Sequence, residues 1–235
     1  MAKESSGCSI VRSESRKIAI LLSDDHPLLR QALKSLLEKE DDFEIVAEAG
    51  DGEEAARLAI ELRPDVVIMD ISMPKLDGLE ATRQIKAACP KTAVLALTVH
   101  NDDQSILEIL QAGAAGYLVK SVFGDEVVQA IRAVVAGDMV LSPSIGQRLL
   151  KHAAQYPTKP LSLESGEKLS TRELEILKLA ARGMMNKDIG LSLGLELRTV
   201  KGHLSNIFSK LGVGSRTEAV ITGLRAGFLS LDDLQ

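Results

Sequence analysis

Val66-Val67-Ile68-Met69-Asp70, running on into Ile71-Ser72-Met73-Pro74, decides the architecture. Four apolar residues in succession, closed by a carboxylate, predict a short strand buried on both faces, because a half-exposed strand would alternate with polar residues. Such a strand belongs to a parallel sheet with helices on either side, and ligands gather at its C-terminal ends. The same unit repeats outward. Ile18–Leu22, Ala93–Thr98 and Gly116–Val119 are nearly continuous apolar runs, and Glu44–Glu48 is a more polar candidate strand. Between them lie apolar residues at helical spacing: Leu29, Leu33, Leu36 and Leu37, then Ala55, Leu58, Ala59 and Leu62. Ile106, Ile109 and Leu110 continue the series, followed by Val127, Val128, Ile131 and Val135. Strand-then-helix units in this order predict an α/β doubly wound, five-stranded parallel sheet over residues 17–137.

Beyond it the pattern changes. Pro143, Pro157, Pro160 and several serines mark residues 138–167 as a linker, with one helix expected around Gly146–Gln155. From residue 168 to 235 helical periodicity returns without a strand signal, which predicts a small all-α domain. Ser170 at an N-cap with Glu173 three residues on forms a capping box for the helix carrying Leu174, Ile176, Leu177 and Leu179. Further helices are expected near Asn186–Leu193, Leu197–Leu211 and Ser215–Ala226.

The 235 residues are 45% hydrophobic and 26% charged, a globular balance, with only 3% aromatic residues and no Trp. Two cysteines, Cys8 and Cys89, exclude a disulfide framework and a four-thiolate zinc site. No apolar run approaches the roughly 18 residues of a membrane span. Residues 1–16 form a polar tail without the apolar core of a secretory signal, so a cytoplasmic protein with no membrane partner is expected. The net charge of −5 divides into −7 over residues 1–165 and +2 over 166–235, which points to different partners for the two parts.

Asp24 and Asp25 follow the first candidate strand and Asp70 ends the third, so a doubly wound sheet brings all three carboxylates to one edge. Carboxylates this close repel, and a divalent cation relieves the repulsion. Hard oxygen ligands with room for water favour Mg²⁺. Thr98 and Lys120 end the fourth and fifth strands and add a hydroxyl and an ammonium. Together these groups describe a pocket for a phosphoryl group, with Asp70 as carboxylate nucleophile.

These residues, with Ser72-Met73-Pro74, Asp77-Gly78 and Gly116-Tyr117-Leu118-Val119-Lys120, resemble the receiver domain of two-component response regulators. The resemblance implies that Asp70 accepts a phosphoryl group from a sensor histidine kinase. It implies Mg²⁺ on Asp25 and Asp70, with Asp24 at least through water and Ser72 through its carbonyl. Thr98 and Lys120 would contact the phosphoryl oxygens, and Tyr117 would change position with Thr98. Ser121 stands after Lys120 where many receivers carry a proline after a cis bond. A cis bond before a non-proline costs ~2.5–4 kcal/mol, which leaves this bond's isomer open.

In the second domain Gly194 and Leu195 turn between two short helices. Val200, Leu204, Ile207 and Leu211 share one stripe of the second, leaving Arg198, Lys201, Gly202, Ser205 and Ser209 outward, small and basic groups suited to a major groove. Leu169–Leu177, Thr199-Val200-Lys201-x-His203 and Lys210-Leu211-Gly212-Val213-x-Ser215-Arg216 are similar to the LuxR-type domain of the NarL/FixJ subfamily. That similarity implies base contacts from Lys201, Gly202 and Ser205. It implies phosphate contacts from Lys187, Thr199, Asn206 and Lys210 on double-stranded DNA, with the last helix as the contact of a homodimer on DNA. Glu196 replaces the usual hydroxyl cap before Thr199, at ~1 kcal/mol. Gly190 replaces the usual Ala, at ~0.5–1 kcal/mol. With a charge of only +2, the isolated monomer is expected to bind DNA weakly.

The expected function is a phosphorylation-activated transcription regulator rather than an enzyme. A haloacid-dehalogenase-type phosphatase would want a second Asp two residues after Asp70, where Ser72 stands. The alternative reading is a DNA-binding regulator of the same build that works without phosphorylation.

Overall fold

The computed structural model describes residues 16–98, 103–121, 124–141, 169–230 and Asp233. The helix expected around Gly146–Gln155 and the tail 1–15 lie outside the described residues. The first domain is a five-stranded, wholly parallel sheet in the order β2-β1-β3-β4-β5. Its strands are β1 (Ile18–Ser23), β2 (Phe43–Ala49), β3 (Val66–Asp70), β4 (Ala93–Thr98) and β5 (Gly116–Val119). The helices between and after them are α1 (Pro27–Leu37), α2 (Gly52–Leu62), α3 (Gly78–Ala88), α4 (Asp103–Gln111) and α5 (Asp125–Ala136). The strand edges differ from the sequence expectation by a residue at most, and each core strand is closed in on both faces.

On one face Ile20, Leu22, Ile68 and Leu95 pack against Leu33 and Leu37 of α1 and Val127, Ile131 and Val134 of α5. On the other, Leu21, Val67, Met69 and Val94 meet Ala55 and Ala59 of α2 and Ala81 and Ile85 of α3. Two of these helices, α2 and α3, begin where an aspartate side chain takes one of their first N–H groups. Asp51 Oδ1 accepts from Glu54 N–H at 2.9 Å and Asp77 Oδ1 from Glu80 N–H at 2.8 Å.

The edge of β5 corrects the domain boundary. Val140 pairs in parallel with Gly116, accepting from Tyr117 N–H at 2.9 Å and donating to Ala115 O at 3.3 Å. Residues 138–141, assigned to the linker from the sequence, therefore pack as part of the first domain, because β5 would otherwise leave backbone groups unpaired.

The second domain contains α6 (Thr171–Ala181), α7 (Asn186–Leu193), α8 (Leu197–Leu211) and α9 (Arg216–Arg225). The expected capping box is formed: Ser170 Oγ accepts from Glu173 N–H at 3.3 Å, and Ser170 N–H donates to Glu173 Oε2 at 2.7 Å. Gly194 at φ 65° makes the left-handed turn after α7. Gly190 lets the Leu195 carbonyl approach to 2.7 Å from where a Cβ would stand, so the turn closes more tightly than an Ala would allow. Ile176, Leu177, Ile189, Val200, Leu204 and Ile207 form the shared core. No described helix is long and apolar enough to cross a membrane.

Candidate functional site

β1 and β3 are neighbours, so the residues that end them emerge side by side. Asp70 and Asp24 are buried there, at 2% and 3% exposure, and Asp25 is half-buried. Lys120, just past β5, sends its ammonium across the edge to lie 2.6 Å from Asp70 Oδ2 and 2.8 Å from Asp24 Oδ2. Ser72 N–H donates to Asp70 Oδ1 at 3.2 Å. Thr98 is fully buried at the end of β4, and Tyr117 is buried in the neighbouring β5, where it pairs with Ala96 two residues before Thr98. The sheet thus gathers Asp24, Asp25, Asp70, Thr98 and Lys120 at one edge. The Lys120–Ser121 peptide bond is trans.

Gly78 positions the loop beneath Asp70. Its N–H donates to Ile71 O at 2.9 Å, and a Cβ there would stand 2.0 Å from the Asp70 carbonyl oxygen. The glycine after Asp77 is therefore fixed by close approach, and any side chain would push α3 away from the nucleophile's backbone.

Burial pushes the Asp70 carboxyl above its ordinary range, and the Asp24 carboxylate adds to the effect against the pull of Lys120. Burial works against charge on Lys120 too, but its bonds to Asp24 and Asp70 outweigh that and hold its pKa up. One ammonium is shared between two carboxylates, while Asp25 adds a third negative charge. Among the described residues Asp24 Oδ2 and Asp25 Oδ1 are buried without a fully formed hydrogen bond, the first with the Lys120 ammonium at 2.8 Å and the second with His26 Nδ1 at 2.6 Å. Asp24, Asp25, His26 and Asp70 each place a ligand atom within 4.8 Å of the others. This oxygen-rich set with under-satisfied buried oxygens fits a hard divalent cation such as Mg²⁺.

His26 is the residue sequence reasoning passed over. Its Nδ1 lies 2.6 Å from Asp25 Oδ1, and the imidazole is exposed. The run Asp24-Asp25-His26-Pro27 after a buried strand carries the signal, since three consecutive residues with metal-binding atoms leave the same strand end.

In the helix-turn-helix, the stripe Val200, Leu204, Ile207 and Leu211 is buried as expected, and Lys201, Gly202, Ser205, Thr199, Asn206 and Lys187 are exposed. Lys210 differs. Its ammonium lies 2.9 Å from Glu173 Oε2, so it is tied to the capping box of α6 rather than held out for a ligand. The face of α8 carrying Lys201 and Ser205 forms one wall of a cleft of about 330 Å³. The opposite wall comes from the first domain, through Pro90, Lys91 and the end of α5. Further contacts join the domains. Ile221 of α9 is buried with Ile109, Leu110, Ala114 and Tyr117, Thr217 Oγ1 lies 3.5 Å from Ala115 O, and Lys86 Nζ donates to Gly214 O at 3.3 Å.

Residues 20–132 match the response regulator receiver domain, and residues 167–222 match the bacterial regulatory proteins of the luxR family. The chain is 41% identical to the transcriptional regulatory protein LiaR of Bacillus subtilis (strain 168), over 87% of its own length and 95% of that protein. It is 37% identical to the transcriptional regulatory protein DegU of Brevibacillus brevis, over 92% and 96%. Among solved structures, a LuxR-family two-component response regulator from Aurantimonas sp. SI85-9A1 superposes with a TM-score of 0.55 at 39% identity, covering 59% of this chain and all but 1% of that one. With both domain types in one chain and relatives aligned across nearly their whole length, this chain belongs to the response regulators that join a receiver to a LuxR-type DNA-binding domain.

Proposed function

We propose that the chain is a phosphorylation-switched transcription regulator in which Asp70 accepts a phosphoryl group from a sensor histidine kinase. The observation that carries this reading is the convergence of Asp24, Asp25, Asp70 and Lys120 at one sheet edge. In the transfer, an Asp70 carboxylate oxygen attacks phosphorus, the P–N bond to the kinase imidazole breaks, and an acyl phosphate forms. Lys120 then leaves the Asp70 carboxylate for a phosphoryl oxygen, and the Thr98 hydroxyl donates to another. Mg²⁺ held by Asp25 and Asp70, with Asp24 and the Ser72 carbonyl, would supply stabilisation of the charge on the phosphoryl oxygens.

The route from this chemistry to DNA runs through Tyr117. This aromatic shares a single apolar cluster with Ile109 and Leu110 of α4 and with Ile221 of the DNA-binding domain. Recruiting Thr98 to the phosphoryl group repacks that cluster and loosens Ile221, biasing the chain from a closed to an open arrangement. In the closed one, the cleft of about 330 Å³ leaves no room for a duplex, whose major groove alone is about 12 Å wide, against Lys201 and Ser205. Once released, α8 reads base edges with Lys201, Gly202 and Ser205, while Lys187, Thr199 and Asn206 contact phosphates. α9, freed from the receiver, pairs with a second copy.

Incubation with acetyl phosphate and Mg²⁺ followed by intact mass tests the first step. A phosphoryl adduct on the wild type that Asp70→Asn lacks is the expected result, and an adduct retained by that variant refutes it. Anisotropy of a labelled DNA duplex with the treated and untreated chain tests the second.

A further inference from the structure

The DNA-binding domain breaks two local rules at one place. α7 starts after Met185, which offers no side-chain cap, although hydroxyl and amide side chains normally take the first N–H groups of a helix. α9 opens with Arg216, a cation at the positive end of a helix dipole. One carboxylate from the other domain answers both. Asp138, just past α5, accepts from Asn186 N–H at 2.8 Å, and the same Oδ1 lies 3.4 Å from Arg216 Nη1. The Asn186 side chain completes the junction, donating to Ala136 O at 3.1 Å and lying 3.4 Å from Arg216 Nη1 through its oxygen.

Arg216 is built into the domain rather than lying on it. Its side chain is 3% exposed, Nη2 donates to Ala180 O at 2.9 Å and to Met184 O, and Nε has no hydrogen-bond partner among the described residues. Burial lowers the guanidinium to about 10, with Asp138 opposing the shift, so it stays charged at neutral pH. A helix N–H beside a buried guanidinium with a spare donor is the chemistry of a phosphate site. Asp138 meets the Asn186 N–H and Arg216 Nη1 with one oxygen, at 2.8 and 3.4 Å.

We propose that the N-terminus of α7 and Arg216 form a binding site for a backbone phosphate of DNA, and that Asp138 fills it with a carboxylate while the chain is closed. The inference rests on the DNA-binding function proposed above and deepens it. Receiver and duplex compete for one N–H group, so release does more than clear the cleft at α8. It exchanges an internal anion for the phosphodiester, with exposed Lys187 next in sequence to add a second charge. Asp138 acting only as a helix cap has the opposite consequence, because its removal would then weaken α7 and the DNA affinity with it.

The test uses the full unphosphorylated chain and a fluorescein-labelled random-sequence duplex, with anisotropy read across a KCl series. Asp138→Ala is expected to tighten binding by about tenfold and to steepen the log–log salt dependence by about one. Adding Asn186→Pro should return the slope by about one, because proline is tolerated at the first helical position but has no N–H. In the Asp138→Ala chain the Asn186 amide resonance should shift on adding duplex, a readout that needs no second substitution. Unchanged or weaker binding by Asp138→Ala, while acetyl-phosphate-treated wild type binds the duplex, overturns the proposal. So does an Asn186 amide that ignores the duplex. Absence of binding by every form, the phosphorylated wild type included, overturns the DNA reading itself and the site with it.

Discussion

Ile221→Ala isolates the contact through which the receiver holds the second domain. Ile221 is 6% exposed, and it packs with Ile109, Leu110, Ala114 and Tyr117 of the receiver, not with the core of its own domain. Truncation removes three methylene equivalents from that contact, at ~0.8 kcal/mol each, or about 2.4 kcal/mol in favour of opening. This is about a 50-fold change in the closed-to-open ratio. Apparent DNA affinity scales with the open fraction, so the unphosphorylated variant should gain up to that factor, with the gain saturating once most molecules are open. Anisotropy with a labelled duplex at fixed salt measures the affinity, and small-angle scattering measures the accompanying rise in radius of gyration. Val220→Ala is the control, because Val220 sits in the core of the DNA-binding domain and its loss weakens that domain without favouring opening. If Ile221→Ala leaves both affinity and radius unchanged, with circular dichroism reporting folded domains, the apolar cluster is not what keeps the chain closed.

Mg²⁺ should stabilise the receiver, by about 2.7 kcal/mol at a hundred times its dissociation constant, and the effect should vanish in Asp25→Asn when followed by thermal melting. Asp70 is raised above its ordinary carboxylate range by burial, so the native state holds its proton more tightly than the unfolded chain. Metal-free stability is therefore greatest at low pH on this account and declines as pH rises above the unfolded value of 3.8; Asp70→Asn should remove that decline and raise the melting temperature at neutral pH. Glu173 has the reverse sign. It is buried, yet Lys210 and the Ser170 cap hold its pKa below 4.5, so its contribution is present above that pH and is lost as pH falls through the depressed value. Lys210→Met should weaken that acid sensitivity, leaving the part that the Ser170 cap supplies, and lower the stability of the DNA-binding domain by about 1–3 kcal/mol in urea unfolding. Gly78→Ala, which drives a Cβ against the Asp70 carbonyl, should cost about 1–3 kcal/mol and slow phosphoryl uptake from acetyl phosphate.

The sheet was legible because strands buried on both faces write their burial into consecutive residues, and Val66–Asp70 and Ala93–Thr98 hold little else. The acidic pocket followed from it, since a parallel sheet carries every strand's last residue to the same edge. His26 escaped because a lone histidine after two aspartates has no period to betray it. The junction between the domains was hidden for a different reason. Ile221 fits the apolar pattern of its own helix equally well, and nothing local tells that it packs on Tyr117. Yet the junction left traces as conflicts. A methionine where a cap belongs and an arginine at the wrong end of a dipole are each unfavourable within the domain. Local rules broken together, close in space, mark a surface shaped by something outside the domain. In this chain that something is Asp138 when closed, and an anion of the same sign is what the open form has left to seek.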